Sequence, residues 1–599
     1  MNGQQTTAQF STFNFQLSII NHQRLSHRYF LIGLGLISLV AYTLFFCALS
    51  LIRGYPISYW QFPLAGVFML ITQFFAARYF FDKDALKPFL RSAVILLVLS
   101  SLSVFLANAI YDVSSEGQAY HQELTAHLKN GFNPYLKILP APDEDTVPSL
   151  TYLGINHSAK GVEITEAAIY RLTGHIESGK AVNAMVLIAS FCLCLSLLYK
   201  LNRFSTARTW GIAALASFNP ISIAQLTSYC SDGVMASVFL CLFVLFCLIF
   251  LEHNKNYSYL LGFLIMISVN IKFLSLIYTA VFCAGFLLIL IMRKNRALCK
   301  RVFYACLISS LLGVFFIGFH PYLTNLISTN QPFYGLTETR NEISNLRPSP
   351  IRATSRFATF FLSLTSYSDN QASDKSSVTG TIKFPFSINR QELLHANEPA
   401  LKMAGFGPFF SGALLLSIAL LGLIAYSSSK EIIFKTGLAA LGIILLSVFI
   451  IPDSWWARFV PQLWLVPVTI LFLSELLSLS RGRILNLLLY VVIGLNVVWA
   501  FTGIFYNILI SAQIRYQLAQ LKTISRPISV EYPAGRPFKS NHIRFDENNI
   551  HFIEKKAEGQ YIYSVIHSST RFGSAERLPD LPKPFLLRVN EKIRGGDRD

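Results

Sequence analysis

Runs of about 20 apolar residues, the length an α-helix needs to cross the hydrocarbon core of a bilayer, recur along most of the chain. They begin near Tyr29, Tyr59, Arg91, Val182, Thr209, Asp232, Tyr257, Leu274, Val302, Gly405, Ile432, Phe459 and Ile484. With 53% hydrophobic and 14% charged residues in 599, one water-soluble core could not enclose so much apolar surface. The expected fold class is an all-α polytopic membrane protein of about 13 transmembrane helices. The two runs between Tyr257 and Met292 are short enough to be one broken segment.

Basic residues set the expected orientation. Short loops carry Lys83, Lys87 and Arg91, then Lys200, Arg203 and Arg208, then Arg293, Lys294, Arg296, Lys300 and Arg301, then Lys430 and Lys435, then Arg481 and Arg483. The positive-inside rule makes all of these cytoplasmic, together with the N-terminus bearing Arg24 and Arg28. The chain then divides into a cytoplasmic N-terminus (1–28), three spans (29–111), a first outer loop (112–181) and further spans (182–320). A second outer loop (321–404), the last spans (405–508) and an outer tail domain (509–599) complete it. The net charge of +18 does not point to nucleic acid: the bases are scattered over short loops, where topology and anionic headgroups account for them. No apolar core with a small-residue cleavage site marks the first 28 residues, so no removable signal peptide is expected. All nine Cys lie in or beside spans or in a cytoplasmic loop, which leaves the outer loops without a disulfide or thiolate metal site.

Function is to be sought first in the polar interval from Asp112 to Lys180. Gly117 to Asn130 and Lys160 to Leu172 have amphipathic helical spacing, and the second is expected to lie at the membrane interface. Pro140 to Pro148 reads as a surface loop, and Ser366 to Gly380 in the second outer loop as a flexible polar run. In the tail, His542 to Phe545, Ile550 to Ile553 and Tyr561 to Val565 alternate like strands of a small domain.

Several residues carry possible chemistry, each with an ordinary alternative. Asp112 and Glu116 stand four apart and would share a face if the helix before them continues; a carboxylate there could take a proton from an acceptor hydroxyl, or simply cap a helix. Asp232 opens an apolar span, either as a helix N-terminal residue or as an active-site acid. Lys272 sits between two short apolar halves, where an ionisable group faces a cavity or a partner. Arg458, beside Trp455 and Trp456, could contact a phosphate or snorkel as an interfacial anchor. His121 and His157 could bind substrate or metal, although no fixed ligand spacing supports them. Lys160 would ordinarily touch headgroups. Two or three carboxylates could hold Mg²⁺ or Mn²⁺ through oxygen, and the sequence commits to neither. No Walker sequence occurs and no GxGxxG follows a strand.

Taken together, Tyr111 to His121, Asn219-Pro220, Gln225 to Gly233, His320 to Asn325, Gln331 to Tyr334 and Trp455 to Phe459 resemble bacterial members of the C superfamily of membrane glycosyltransferases. The resemblance covers roughly Tyr111 to Pro467 and rests on order and topology. It implies a C-superfamily-like architecture, a polyprenyl-phosphate-linked sugar donor reached from the membrane lipids, and a glycan, lipid or protein acceptor. It also implies inverting transfer at the outer face; the lack of an outer cysteine framework favours a bacterial inner membrane, although a eukaryotic endomembrane enzyme would share the topology. Asp112 with Glu116, and then Asp232, match the acids of the first and next outer loops; Asp112 is the expected base and Glu116 a second base or a holder of a cation or a sugar hydroxyl. Lys272 or Arg458 would neutralise the phosphate, with Trp456, His121, His157 and Lys160 also on the substrate. The separation of Asp112 from Glu116 departs from the adjacent Asp-Glu pair of several families. A flippase or transporter of lipid-linked saccharides, with Lys272 lining its path, and a glycan polymerase or ligase are the rival readings.

Overall fold

The computed structural model describes residues 2–139, 149–254, 257–336, 354–368, 380–394, 398–532 and 540–579. Among them, ten helices are long and apolar enough to cross a membrane. They are Asn21–Ile52, Gln61–Asp84, Leu86–Ala109, Ile176–Leu201, Asp232–Glu252, Phe273–Met292, Arg296–Ile317, Phe410–Ser428, Ile432–Phe449 and Ser480–Lys522. The protein is polytopic and helical. The three other expected crossings are shorter helices: Thr206–Ser217, Tyr257–Ser268 and Pro461–Leu476. Their 12 to 16 residues make only about 18–24 Å of helix against a hydrocarbon core of about 30 Å. The first of these stops for a local reason: Asn219 accepts the Ile221 amide at 2.9 Å and Pro220 opens a new helix.

Helices Asn21–Ile52, Ile176–Leu201 and Asp232–Glu252 form the centre. Their most apolar stretches are 83%, 83% and 78% buried, against 22% and 17% for Gln61–Asp84 and Leu86–Ala109, which form the periphery. Helix Asp232–Glu252 is apolar on all sides, as an enclosed helix must be.

The segment after Leu86–Ala109 folds back onto this centre. A wide π turn, Gly117–His121, leads into helix Gln122–Lys129, followed by Ser149–His157 and Gly161–Thr173. The last of these was expected at the interface, yet residues 161–170 are all buried. Ala167 and Ala168 pack with Leu124 and Leu128 and with Cys47 and Ala48 of the first span. Its acidic stripe is served by protein: His121 bonds Glu163, and Thr125 donates to Glu166. A neighbouring helix has replaced the headgroups that the amphipathic pattern seemed to require.

The last span runs without a break past residue 508 to Lys522, about 60 Å in all. Its extension presents Ile510, Ile514, Leu518 and Leu521 at helical spacing to the tail domain. There β1 (Ile528–Glu531), β2 (Phe552–Glu554), β3 (Tyr561–Ser564) and β4 (Arg571–Ser574) form a sheet in the order β2-β1-β4-β3, with β1 and β2 parallel. The expected strand at His542–Phe545 is instead part of helix Ser540–Glu547. Its buried positions, Asn541, Arg544 and Phe545, follow a spacing of three and four rather than two. The expected loop Pro140–Pro148 and residues 369–379 lie outside the described residues.

Candidate active site

Segments far apart in sequence meet where helices Asp232–Glu252 and Phe273–Met292 begin. Asp232 is the first residue of its helix and Lys272 immediately precedes the other; Lys272 Nζ donates to Asp232 Oδ1 at 2.6 Å. Gln225 fastens the second oxygen, Nε2 to Oδ2 at 3.2 Å, while its Oε1 accepts the Gly233 amide at 2.7 Å. Arg458, on the turn Ala457–Phe459, grips Glu116 with both terminal nitrogens, Nη2 to Oε1 at 2.7 Å, and its Nη1 stands 3.9 Å from Asp232 Oδ2. A fork of this kind fixes orientation as well as charge. The guanidinium lies over Trp456, 4.4 Å from the ring centroid, and Trp456 Nε1 donates to the Ala400 carbonyl at 2.7 Å.

Two carboxylates and two cations thus form one connected network. Exposure divides it: Asp232 and Arg458 are enclosed, whereas the Glu116 and Lys272 side chains are 34% and 22% exposed. An incoming molecule meets Glu116 and Lys272 first. Burial pushes the Glu116 carboxyl up, but the Arg458 guanidinium outweighs it and holds the group below its ordinary value of 4.5. Glu116 is therefore a carboxylate at neutral pH.

Asp112 does not share that face. Helix Leu86–Ala109 ends, Ile110 is extended, and helix resumes only at residue 115. Asp112 is fully buried; its Oδ1 accepts the Ser114 amide and its Oδ2 the Tyr229 amide, each at 2.7 Å. Ser114 Oγ then accepts the Gly117 amide at 3.0 Å, so Asp112 and Ser114 together cap the restarted helix. Gly117 leaves room for this, because a Cβ there would stand 1.9 Å from Asp112 Oδ2. Burial raises the Asp112 carboxyl above its ordinary value, with Lys180 pulling the other way.

The Asp112 backbone also joins a buried ionic knot. Its amide donates to Glu177 Oε2 at 3.0 Å and its carbonyl accepts Arg544 Nη2 at 2.7 Å. Glu177 further receives Lys180 and Arg544, the latter Nε to Oε1 at 3.0 Å. Arg544 belongs to the tail domain, so the knot ties the tail to the segment that carries Glu116. The three-residue spacing of Glu177 and Lys180 hints at their pairing. Nothing local marks Arg544, which is 367 residues from Glu177.

The remaining candidates lie outside the Glu116–Arg458 network. His121 Nδ1 bonds Glu163 Oε1 at 2.7 Å in the interior, beside the Tyr120 ring. His157 Nδ1 bonds Asn325 Oδ1 at 3.0 Å. Lys160, 1% exposed and so away from headgroups, donates to the Ser158 carbonyl and to His320 Nε2, both at 2.7 Å. Burial pulls the Lys160 ammonium down to about 7 and holds the His320 imidazole well below its ordinary value, which suits His320 to accept that bond. These contacts stitch Ser149–His157 and Lys160 to the segment His320–Asn325.

Among the described residues, no three His, Cys, Asp or Glu side chains converge as metal ligands. A Mg²⁺ or Mn²⁺ ion at Glu116 or Asp232 would have to displace the cation each already faces. No protein-family model matches the chain, and no curated protein matches it. The chemistry open to the network follows from its parts. A carboxylate at the exposed edge can take a proton from a hydroxyl, and a cation beside it can neutralise a departing phosphate.

Proposed function

We propose that the protein is an integral membrane glycosyltransferase that moves a sugar from a polyprenyl-phosphate carrier to a glycan, lipid or protein acceptor, with inversion. The observation that carries this reading is the meeting of two ion pairs, Glu116 with Arg458 and Lys272 with Asp232, where two spans begin, with the Glu116 and Lys272 side chains as their partly exposed members. A lipid-anchored donor would bring its phosphate to that exposed edge from the membrane. Glu116 takes the proton of the acceptor hydroxyl as its oxygen attacks the anomeric carbon; the bond from that carbon to the phosphate oxygen breaks on the opposite side, and Lys272 neutralises the released phosphate. Asp232 holds Lys272, and Arg458 holds Glu116. The base is therefore assigned to Glu116, whose side chain is partly exposed, rather than to Asp112, which is fully buried with its oxygens on backbone amides.

The resemblance to C-superfamily enzymes supports the same reading, because its separate motifs supply Glu116, Asp232 and Arg458. The positive-inside pattern supports a cytoplasmic N-terminus with the site and the tail on the outer face, which in a bacterial inner membrane is the periplasmic side. One observation favours transport instead: Lys272 lies in the break between Tyr257–Ser268 and Phe273–Met292, as a residue lining a path would. Lys272→Gln tests the proposal. Transfer at saturating donor is expected to fall by roughly 10²–10³, the loss seen when one group stabilising developing charge is removed, with Lys272→Arg recovering part of it. Equal rates in all three proteins would count against the assignment.

A further inference from the structure

At the opposite end of the spans from the Glu116 network, the bases divide into two groups. Some find partners within the protein: Lys200 pairs with Glu252, Arg208 with Glu475 at 3.4 Å, Arg293 donates to Thr436, and Arg301 to the His253 carbonyl at 3.0 Å. Arg24, Arg28, Lys83, Lys87 and Arg91 make no ion pair or side-chain hydrogen bond among the described residues, and all five are exposed. They converge from three elements on one cavity of about 950 Å³ between the start of the first span, the turn Asp82–Asp84 and the start of Leu86–Ala109. Only Asp82 and Asp84 oppose them there, and Asp82 already faces Arg78.

Five cations against two acids would repel one another unless an anion occupied the space between them. The apolar lining of the cavity indicates the kind of anion. Leu86 and Leu90 line it, and the same helix continues outward with Val94 and Leu97 61% and 68% exposed. A charged pocket at the end of spans thus opens onto a bare apolar helix face. A free anion would have no use for that face, whereas an acyl chain would lie along it.

We propose that this cavity is a binding site for the headgroup of an anionic phospholipid, its phosphate among Arg28, Lys87 and Arg91 and its acyl chains along Leu90, Val94 and Leu97. The site is independent of the proposed transferase chemistry and lies at the other end of the bundle. Native mass spectrometry of the delipidated full-length protein, titrated with dioleoyl phosphatidylglycerol or dioleoyl phosphatidylcholine, tests it. The wild type is expected to retain phosphatidylglycerol well above phosphatidylcholine. The double variant Arg28→Gln, Arg91→Gln is expected to lose roughly 25-fold in phosphatidylglycerol affinity, each cation at a membrane surface being worth roughly fivefold. Asp84→Asn removes an opposing charge without touching the cations and is expected to move affinity the other way, a change that a damaged fold would not produce. Equal retention of the two lipids, unchanged binding in the double variant, no gain in Asp84→Asn, or displacement of the lipid by millimolar inorganic phosphate would each overturn the proposal.

Discussion

Glu116→Gln is expected to lower sugar transfer by roughly 10²–10⁴, the range for loss of a positioned general base. The substitution keeps the shape of the side chain and one acceptor for Arg458, so the protein should remain folded and inserted. Loss of rate with an unchanged thermal transition would separate chemistry from stability. The pH profile offers a second readout. Arg458 holds the Glu116 carboxyl below 4.5, and the base works only when ionised. The rate is therefore present above that lowered value and lost as pH falls through it, which puts the acid limb of the wild type below pH 4.5. Replacing Arg458 with Leu removes the stabilising charge and leaves burial as the main influence, so the limb should move to higher pH. A limb that stays in place in Arg458→Leu would show that Glu116 is not the titrating group.

Glu177→Ala is expected to have the largest effect on stability, a loss of about 3–5 kcal/mol, because it strands Lys180 and Arg544 as buried cations. The Asp112 and Gln122 donors would lose an acceptor as well. Since Arg544 is the tail domain's contribution, hydrogen exchange over residues 540–579 should accelerate more than exchange in the central spans. Adding Arg544→Met should recover part of the lost stability by removing one stranded charge. Exchange confined to wild-type rates across the tail would mean that docking rests on apolar contacts such as Ile514 and Leu518 rather than on the knot.

Helix length and apolar content made the ten long spans legible in the sequence, because crossing a bilayer requires both in one continuous run. The shorter helices were harder to read. The apolar character around Thr209 carries on past Ser217, and only the turn chemistry of Asn219-Pro220 shows that the helix does not. In Gly161–Thr173 the pattern correctly revealed a polar stripe at Glu163 and Glu166, but a periodic pattern cannot say whether lipid headgroups or another helix will cover that stripe. The site was legible residue by residue. Glu116, Asp232, Lys272, Trp456 and Arg458 each stood out as an ionisable or aromatic group at a membrane boundary, yet their pairing was not visible, because it joins positions 342 residues apart in the case of Glu116 and Arg458. The four-residue spacing of Asp112 and Glu116 misled for a local reason: the helix that would have aligned them ends before Asp112. Gln225, which holds both Asp232 and the Gly233 amide, carried no signal beyond being a buried amide in the same stretch.

The most direct measurement is to reconstitute the purified protein in liposomes with polyprenyl-phosphate donors bearing a radiolabelled sugar, together with candidate acceptors, and to follow both the label and the lipid. The account predicts that label passes to an acceptor while polyprenyl phosphate appears in equal amount. Intact labelled donor crossing the bilayer uncleaved, with no transfer from any donor in the panel, would contradict it and establish a transporter.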